Sequence, residues 1–176
     1  MNLSRIALAA LGAFVAYFFV GFLIFGLMPF LRDELRKYPE VYRNQEGQMS
    51  HMPGGMTAMF VAMLVLAVIY AMLYQGASTL AEGARFGALF GALIGVFSVC
   101  TFVIHNYVNL NIGLTLTLQQ AAAYFAEWTV TGLVIGIIYR PPDAALILLF
   151  RTSPARSVLG SIPKYGLNRE KLAPLP

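Results

Sequence analysis

Four long apolar runs limit what this chain can fold into. The first run, from Ile6 to Leu31, contains no charged residue. At about 1.5 Å per residue a helix of this length reaches about 39 Å, which exceeds a hydrocarbon core of about 30 Å. Only 11% of the 176 residues are charged, whereas soluble domains carry about 25%. The sequence therefore predicts an integral membrane protein in contact with the lipid bilayer.

The four runs predict an all-α, four-helix membrane bundle with short loops and a basic C-terminal extramembrane tail. The predicted transmembrane domain covers residues 1–140. A signal peptide is a poor explanation of the first run, because the run is too long and no small-residue cleavage site follows it. In the first loop we expect a short surface helix at 32–38 and irregular structure from there to Gly55. The predicted spans are 6–31, 56–75, 86–104 and 114–139.

Residues 141–176 are predicted to form an interfacial helix followed by an extended cytoplasmic tail. Six of the twelve Lys and Arg residues lie from Arg140 onward, which favours anionic lipid or a protein surface as the tail's partner. Eight Lys and Arg residues lie on the side of both termini and four on the other. The positive-inside rule then predicts cytoplasmic termini, in what we expect to be a bacterial inner membrane. The tail lacks the pattern of a nucleic-acid-binding groove, so no nucleic-acid partner is expected.

Glycine recurs every four residues in the third run, and the fourth run carries a shorter set. Glycine removes the layer of side chains, so that another helix backbone can approach closely. These residues therefore predict helix-packing faces of the glycine-zipper type, used either within the chain or against another subunit. The residues are Gly83, Gly87, Gly91, Gly95, Gly132 and Gly136.

A single carboxylate, Glu127, lies near the middle of the fourth run. No Lys or Arg lies within a predicted span to pair with it. An ionised carboxylate is costly at this depth, so we expect the carboxyl group to be protonated. Gln120, Tyr124 and Thr131 fall on the same side of the helix, within about 60° of its surface. Together they predict a narrow polar stripe inside the membrane.

Two explanations of the stripe remain open. In the functional explanation, Glu127 handles protons or a substrate and lines a cavity. In the structural explanation, a protonated Glu127 joins helices by a hydrogen bond to Tyr17, Ser98 or a backbone carbonyl.

A segment containing Met and His precedes the second run. Thioether and imidazole groups favour Cu(I), and the predicted orientation puts this segment on the oxidising outer side. Met49, His51, Met52 and Met56 are therefore candidate copper ligands. The alternative is apolar packing, because Met continues to recur at helical spacing. His105, near the same membrane face, is either a further ligand or a hydrogen-bonded interfacial histidine. No other cofactor is expected.

Two stretches, Ala13–Gly26 and Ala84–Tyr139, resemble the small bacterial four-span membrane proteins known only as domains of unknown function. The similarity lies in a third run that begins Arg-Phe-Gly-Ala-Leu-Phe-Gly-Ala, a short Asn-Tyr turn, and a last run that ends in a small-residue face. The resemblance implies a fold and carries over no activity.

Non-enzymatic functions fit the sequence best. It contains no Gly-x-Ser-x-Gly, His-Glu-x-x-His or P-loop motif, so we expect no enzyme. The leading hypothesis is an accessory or structural subunit of a larger membrane complex, or a homo-oligomer, that packs through glycine faces. The alternatives are a proton-coupled or small-molecule transporter or channel that uses Glu127, and Cu(I) handling through the Met/His segment.

Overall fold

The computed structural model describes residues 2–74 and 79–139. This part of the chain is all-helical, which confirms the predicted fold class. Two π-helical segments, Phe22–Leu27 and Val99–Val103, extend α1 and join α4 to α5. The α-helices are α1 (Leu3–Gly21), α2 (Pro29–Leu35), α3 (Gln45–Leu73), α4 (Leu80–Ser98), α5 (Ile104–Asn109) and α6 (Leu114–Ile138).

Four helical stretches are long and apolar enough to cross a membrane. In the most apolar part of each stretch, no more than 33% of the residues are buried within the protein. The other apolar side chains are at least partly exposed, and the hydrocarbon core of a membrane covers such surfaces favourably. The chain is therefore an integral membrane protein. The four stretches are Leu3–Leu27, Gln45–Leu73, Leu80–Asn109 and Leu114–Ile138.

Helix α6 lies at the centre of the bundle. It packs along α4 on one side and along α1 on another, whereas α3 packs mainly on α1. Three buried alanines of α1 lie in this core, and their small side chains allow the helices to approach closely. The alanines are Ala9, Ala10 and Ala13, which share one core with Met63, Ala67 and Tyr70 of α3.

The loop predicted to reach Gly55 ends instead at Asn44, where α3 begins. Oδ1 of Asn44 accepts a hydrogen bond from the backbone N–H of Gly47 at 2.9 Å and caps the helix. The helix then continues through Pro53, although proline lacks the N–H that a helix interior uses. The hydroxyl of Thr57 donates to the carbonyl of Pro53 at 2.9 Å. The loop prediction was wrong because it relied on the proline and overlooked the cap.

The first span also ends earlier than the apolar run suggests. Its helix stops at Leu27, and Met28 is extended, with ψ of 109°. Proline disfavours helical backbone in the residue before it, so Pro29 explains the break. Pro29 itself starts α2, where its missing N–H costs nothing.

Helix α4 begins at Leu80, before the predicted start of the third span at Phe86. Thr79 and Glu82 form a capping box, in which each side chain accepts a hydrogen bond of 3.2 Å from the other residue's backbone N–H. Glu82 and Arg85 therefore lie on the helix rather than in a connection. The interfacial helix and tail predicted for residues 141–176 lie outside the described residues, and they stay predictions.

Candidate functional site

The glycines of α4 face α6, backbone against backbone. A Cβ atom placed on Gly91 would lie 2.9 Å from Cα of Gly132, and one placed on Gly87 would lie 2.8 Å from Cα of Gly136. Real Cβ atoms essentially never come closer than 3.0 Å to such neighbours, so neither position has room for a side chain. All six glycines singled out in the sequence lie at this contact: Gly83, Gly87, Gly91, Gly95, Gly132 and Gly136.

This contact uses the glycine face of α4 inside the chain. Two glycines of α1 also face α6, since a Cβ on Gly12 would meet Ile138 and one on Gly21 would meet Glu127. These glycines are therefore already covered within the chain, and a partner protein would have to pack on other faces of the bundle.

Glu127 lies inside the bundle, on the side of α6 that faces α1. Only 2% of its surface is exposed. Its Oε1 atom would lie 2.6 Å from a Cβ on Gly21, so the absent side chain of Gly21 provides the space that the carboxyl group occupies. The hydroxyl of Tyr17, one turn earlier on α1, lies within hydrogen-bonding reach of the carboxyl. Helix α1 thus supplies both the space and a polar neighbour.

Three buried polar atoms in this part of α6 have no hydrogen-bond partner within the described part of the chain. They are Oε2 of Glu127, Nε1 of Trp128 and Oγ1 of Thr131. An unmade hydrogen bond of a buried group costs about 1–3 kcal/mol, so native structures rarely leave one. The Trp128 ring also contacts Tyr17, with ring centroids 5.2 Å apart. The arrangement offers one carboxyl oxygen and two donors to water, a proton or a small hydrogen-bonding solute.

The remaining members of the stripe, Gln120 and Tyr124, have partners. Nε2 of Gln120 donates to the hydroxyl of Tyr42 at 3.0 Å, so this side chain binds the first loop. The Tyr124 ring lies between Phe25 and Phe102, with centroid distances of 6.0 and 5.8 Å. Gln120 is therefore hydrogen-bonded near the loop, whereas the unpartnered atoms of the stripe, on Glu127 and Thr131, lie further along α6.

His105 lies apart from the Glu127 site. It is exposed on α5, and its backbone carbonyl accepts a hydrogen bond from the side chain of Asn109 at 2.7 Å. The π-helical segment Val99–Val103 changes the hydrogen-bonding register from four residues to five. Residues beyond this segment therefore do not continue the glycine face of α4.

The candidate copper ligands lie on the first half of α3 rather than in a loop, and all four are exposed. At about 100° per residue, Met49, Met52 and Met56 share one face of the helix, whereas His51 lies on another. Nδ1 of His51 lies 2.9 Å from the carbonyl oxygen of Gly47. No cluster of three or more His, Cys, Asp or Glu that could hold a metal occurs among residues 2–74 and 79–139. The helix thus separates the imidazole from the thioethers, and copper handling stays a prediction.

Sequence reasoning missed Gly21, Trp128 and Tyr42 as neighbours of the stripe. Trp128 was detectable, because it is the chain's one tryptophan and directly follows the lone carboxylate. Gly21 and Tyr42 are far from Glu127 and Gln120 in sequence. Only the packing of α1 and the first loop against α6 brings them together.

Comparison with known proteins gives a family but no activity. A search of curated proteins and a search of solved structures found no match. A scan against protein-family models matched residues 8–136 to the family described as "Protein of unknown function (DUF1761)". The matched range contains the α4–α6 glycines and Glu127. This chain therefore belongs to the DUF1761 family, as the resemblance to membrane proteins of unknown function led us to expect.

Proposed function

We propose that this protein is a small, non-enzymatic membrane transporter or channel in which Glu127 binds a proton or a small hydrogen-bonding solute. The proposal is carried by one observation: a carboxyl group that is only 2% exposed keeps an oxygen without a partner in the described structure. Carboxylates inside membranes are costly, and they commonly mark pathways for ions, protons or substrates.

The neighbours of Glu127 suit alternate protonation states. When the carboxyl is protonated, it is neutral and compatible with the apolar span. When it is ionised, the hydroxyl of Tyr17 can donate to it, and unpartnered donors are present on Trp128, the next residue, and on Thr131, one turn further along α6. A purely structural role would explain the contact with Tyr17 but not the free oxygen.

Proton flux into liposomes tests this proposal. The purified protein is reconstituted, a pH gradient is imposed, and the internal pH is followed with a trapped dye. We expect Glu127→Gln to reduce the flux at least tenfold, because an amide cannot release a proton, while the variant keeps its helical circular dichroism.

Glu46→Gln is the matched control. It makes the same chemical change at an exposed residue in the first turn of α3, outside the Glu127 site, and should transport like the wild type. A wild-type flux no greater than that of empty liposomes, or an undiminished flux in Glu127→Gln, would rule the proposal out.

A subunit role in a larger membrane complex or homo-oligomer is the second candidate. It is favoured by large apolar side chains that share one exposed face of α1. Affinity purification in mild detergent, followed by mass spectrometry, should then recover stoichiometric partners or multiple copies; a bare monomer argues against it. The exposed side chains are Leu8, Leu11, Val15 and Phe19.

The proposed location is a bacterial inner membrane with both termini in the cytoplasm. The support is the excess of Lys and Arg on the side of the termini. Reporter fusions that are active on only one side of the membrane test this orientation. A reporter result that places the C-terminus in the periplasm would contradict it.

A further inference from the structure

The loop that joins α1 to α3 is fastened to the end of the bundle. The backbone N–H of Gly113 donates to the hydroxyl of Tyr38 at 2.9 Å, and Gln120 donates to Tyr42 at 3.0 Å. Leu31, only 1% exposed, packs in the second core of the protein. These contacts with the start of α6 therefore hold the loop in a defined conformation.

A cavity of about 550 Å³ lies between this loop and the start of α3. This volume lies within the range of small-molecule sites, about 300–1,000 Å³. Its lining includes apolar groups such as Phe25 and Leu35. It also includes Arg32, Arg36 and Arg43, and no acidic residue is among the described residues that line it.

The charge in this cavity is not visible in the sequence, because the region around the loop carries equal numbers of acidic and basic residues. Lys37 donates to Glu34 at 2.6 Å, and this hydrogen bond raises the pKa of Lys37 above its ordinary value. Arg36 lies 3.5 Å from Asp33 in an exposed pair. The four acidic residues are Asp33, Glu34, Glu40 and Glu46.

Two of the cavity arginines are left without a counter-charge. Neither Arg32 nor Arg43 forms an ion pair with any residue that the structure describes. Arg32 lies on α2 and Arg36 is the residue that caps its C-terminus, four residues later, a spacing at which like charges repel each other. The N-terminus of α3 also borders the cavity, since Gln45 and Gln48 of its first turn line it, whereas the acidic residue of that turn, Glu46, does not. These groups together favour an anion as the occupant.

We propose that this cavity binds a phosphate group, held by Arg32, Arg36 and Arg43. The planar guanidinium group matches phosphate oxygens through paired hydrogen bonds, and three such groups around one cavity suit a tetrahedral anion. Phe25 belongs to the first membrane span, so the cavity lies at the end of that span. Both a phospholipid headgroup and a soluble phosphate compound carry the required chemistry.

Thermal unfolding of the full chain in a neutral maltoside detergent tests the site. The probes are phosphatidylglycerol, phosphatidylcholine and inorganic phosphate, each compared with chloride at equal ionic strength. Stabilisation by inorganic phosphate alone identifies a soluble ligand, and stabilisation by phosphatidylglycerol only identifies a headgroup. A melting temperature that responds to neither phosphatidylglycerol nor phosphate overturns the proposal.

Variants separate a built site from general attraction to positive charge. Arg32→Gln and Arg43→Gln should each weaken the binding of the stabilising probe by about tenfold or more. Arg85→Gln, which removes the same charge from an exposed residue of α4 that does not line the cavity, should bind normally.

Arg43→Lys keeps the positive charge but loses the paired hydrogen bonds that a guanidinium group makes to phosphate. It should bind more weakly than the wild type, and it carries the test if Arg43→Gln does not fold. Equal weakening in Arg85→Gln and Arg43→Gln would refute the site.

Discussion

At the scale of single residues, the position of the Glu127 carboxyl depends on a residue without a side chain. A methyl group on Gly21 would lie 2.6 Å from Oε1 of Glu127, too close for the two to coexist in their present positions. The atom it meets is the far end of a flexible side chain, so the carboxyl can move while both backbones stay in place. Gly21 therefore affects the position of the carboxyl group more than it affects the stability of the bundle.

Gly21→Ala should reveal this separation of roles. We expect the free energy of unfolding to change by less than about 1 kcal/mol, because alanine is also the better helix former. The proton flux should fall about tenfold, because the carboxyl group is displaced. Gly12→Ala is the control, since its methyl group would meet the flexible side chain of Ile138 and, at an ordinary contact distance of 3.5 Å, Val134, but not Glu127. Normal flux in Gly21→Ala, measured beside Gly12→Ala in liposomes, would show that the carboxyl position is unimportant.

At this scale, sequence reasoning identified the Glu127 carboxyl and one neighbour, Tyr17, but not the rest of its surroundings. An acid in an uncharged run identifies Glu127 without any structure. The space beside Gly21 and the free oxygen of Glu127 depend on which face of α1 meets α6, and periodicity does not specify that pairing.

At the scale of helices, α4 and α6 form a pair whose backbones touch. The groups that a new side chain would meet at Gly87, Gly91 and Gly132 are backbone atoms, which cannot rotate away. In lipid there is no hydrophobic force between helices, so close packing of this kind must hold them together.

Gly91→Ala should therefore destabilise the protein by about 1–3 kcal/mol, the usual cost of overpacking. Gly54→Ala is the matched control, because a methyl group there meets nothing within 4 Å. It should be neutral or stabilising by up to about 1 kcal/mol. Unfolding in sodium dodecyl sulfate, followed by circular dichroism, measures the change in the free energy of unfolding for both variants. If Gly91→Ala and Gly54→Ala changed it in the same direction, a close α4–α6 contact would be contradicted.

The helix ends show which local signals are readable in a sequence. The Thr79-x-x-Glu82 capping box and the Asn44 cap are short patterns that mark a helix start, and giving them more weight would have placed α3 and α4 correctly. The π-helical segment Val99–Val103 is different, because its hydrogen-bonding register depends on how the surrounding helices pack. The sequence offers no comparable signal for it.

At the scale of the whole molecule, α4 and α6 form a closely packed pair, and α1 packs less closely against α6. Helices α4 and α6 meet through glycine backbones, whereas α1 meets α6 partly through the ends of flexible side chains such as Ile138 and Glu127. Helix α1 also ends in a π-helical segment and an extended residue, Met28. Motion that opens the Glu127 site should therefore occur in α1.

Distances between spin labels test this division. With Cys100, the only cysteine, replaced by serine, labels are attached at exposed positions of α1, α4 and α6. We expect a broader distance distribution for the α1–α6 pair, Val15→Cys with Ile137→Cys, than for the α4–α6 pair, Leu93→Cys with Ile137→Cys. Equal widths would mean that α1 is held as firmly as α4. All three positions carry exposed side chains.

The break after α1 has a consequence for the two proposed sites, since both adjoin the same short stretch of backbone. Phe25, inside the π-helical segment, lines the arginine cavity, and Gly21, immediately before that segment, adjoins the Glu127 carboxyl. Thermodynamic linkage makes any communication across this joint reciprocal: phosphate changes proton affinity by the same factor as the proton changes phosphate affinity. The factor is obtained by measuring the phosphate affinity of the wild type across the pH range in which Glu127 gains its proton, and by dividing it at each pH by the affinity of Glu127→Gln. A ratio that stays constant with pH would show that the two sites are not coupled.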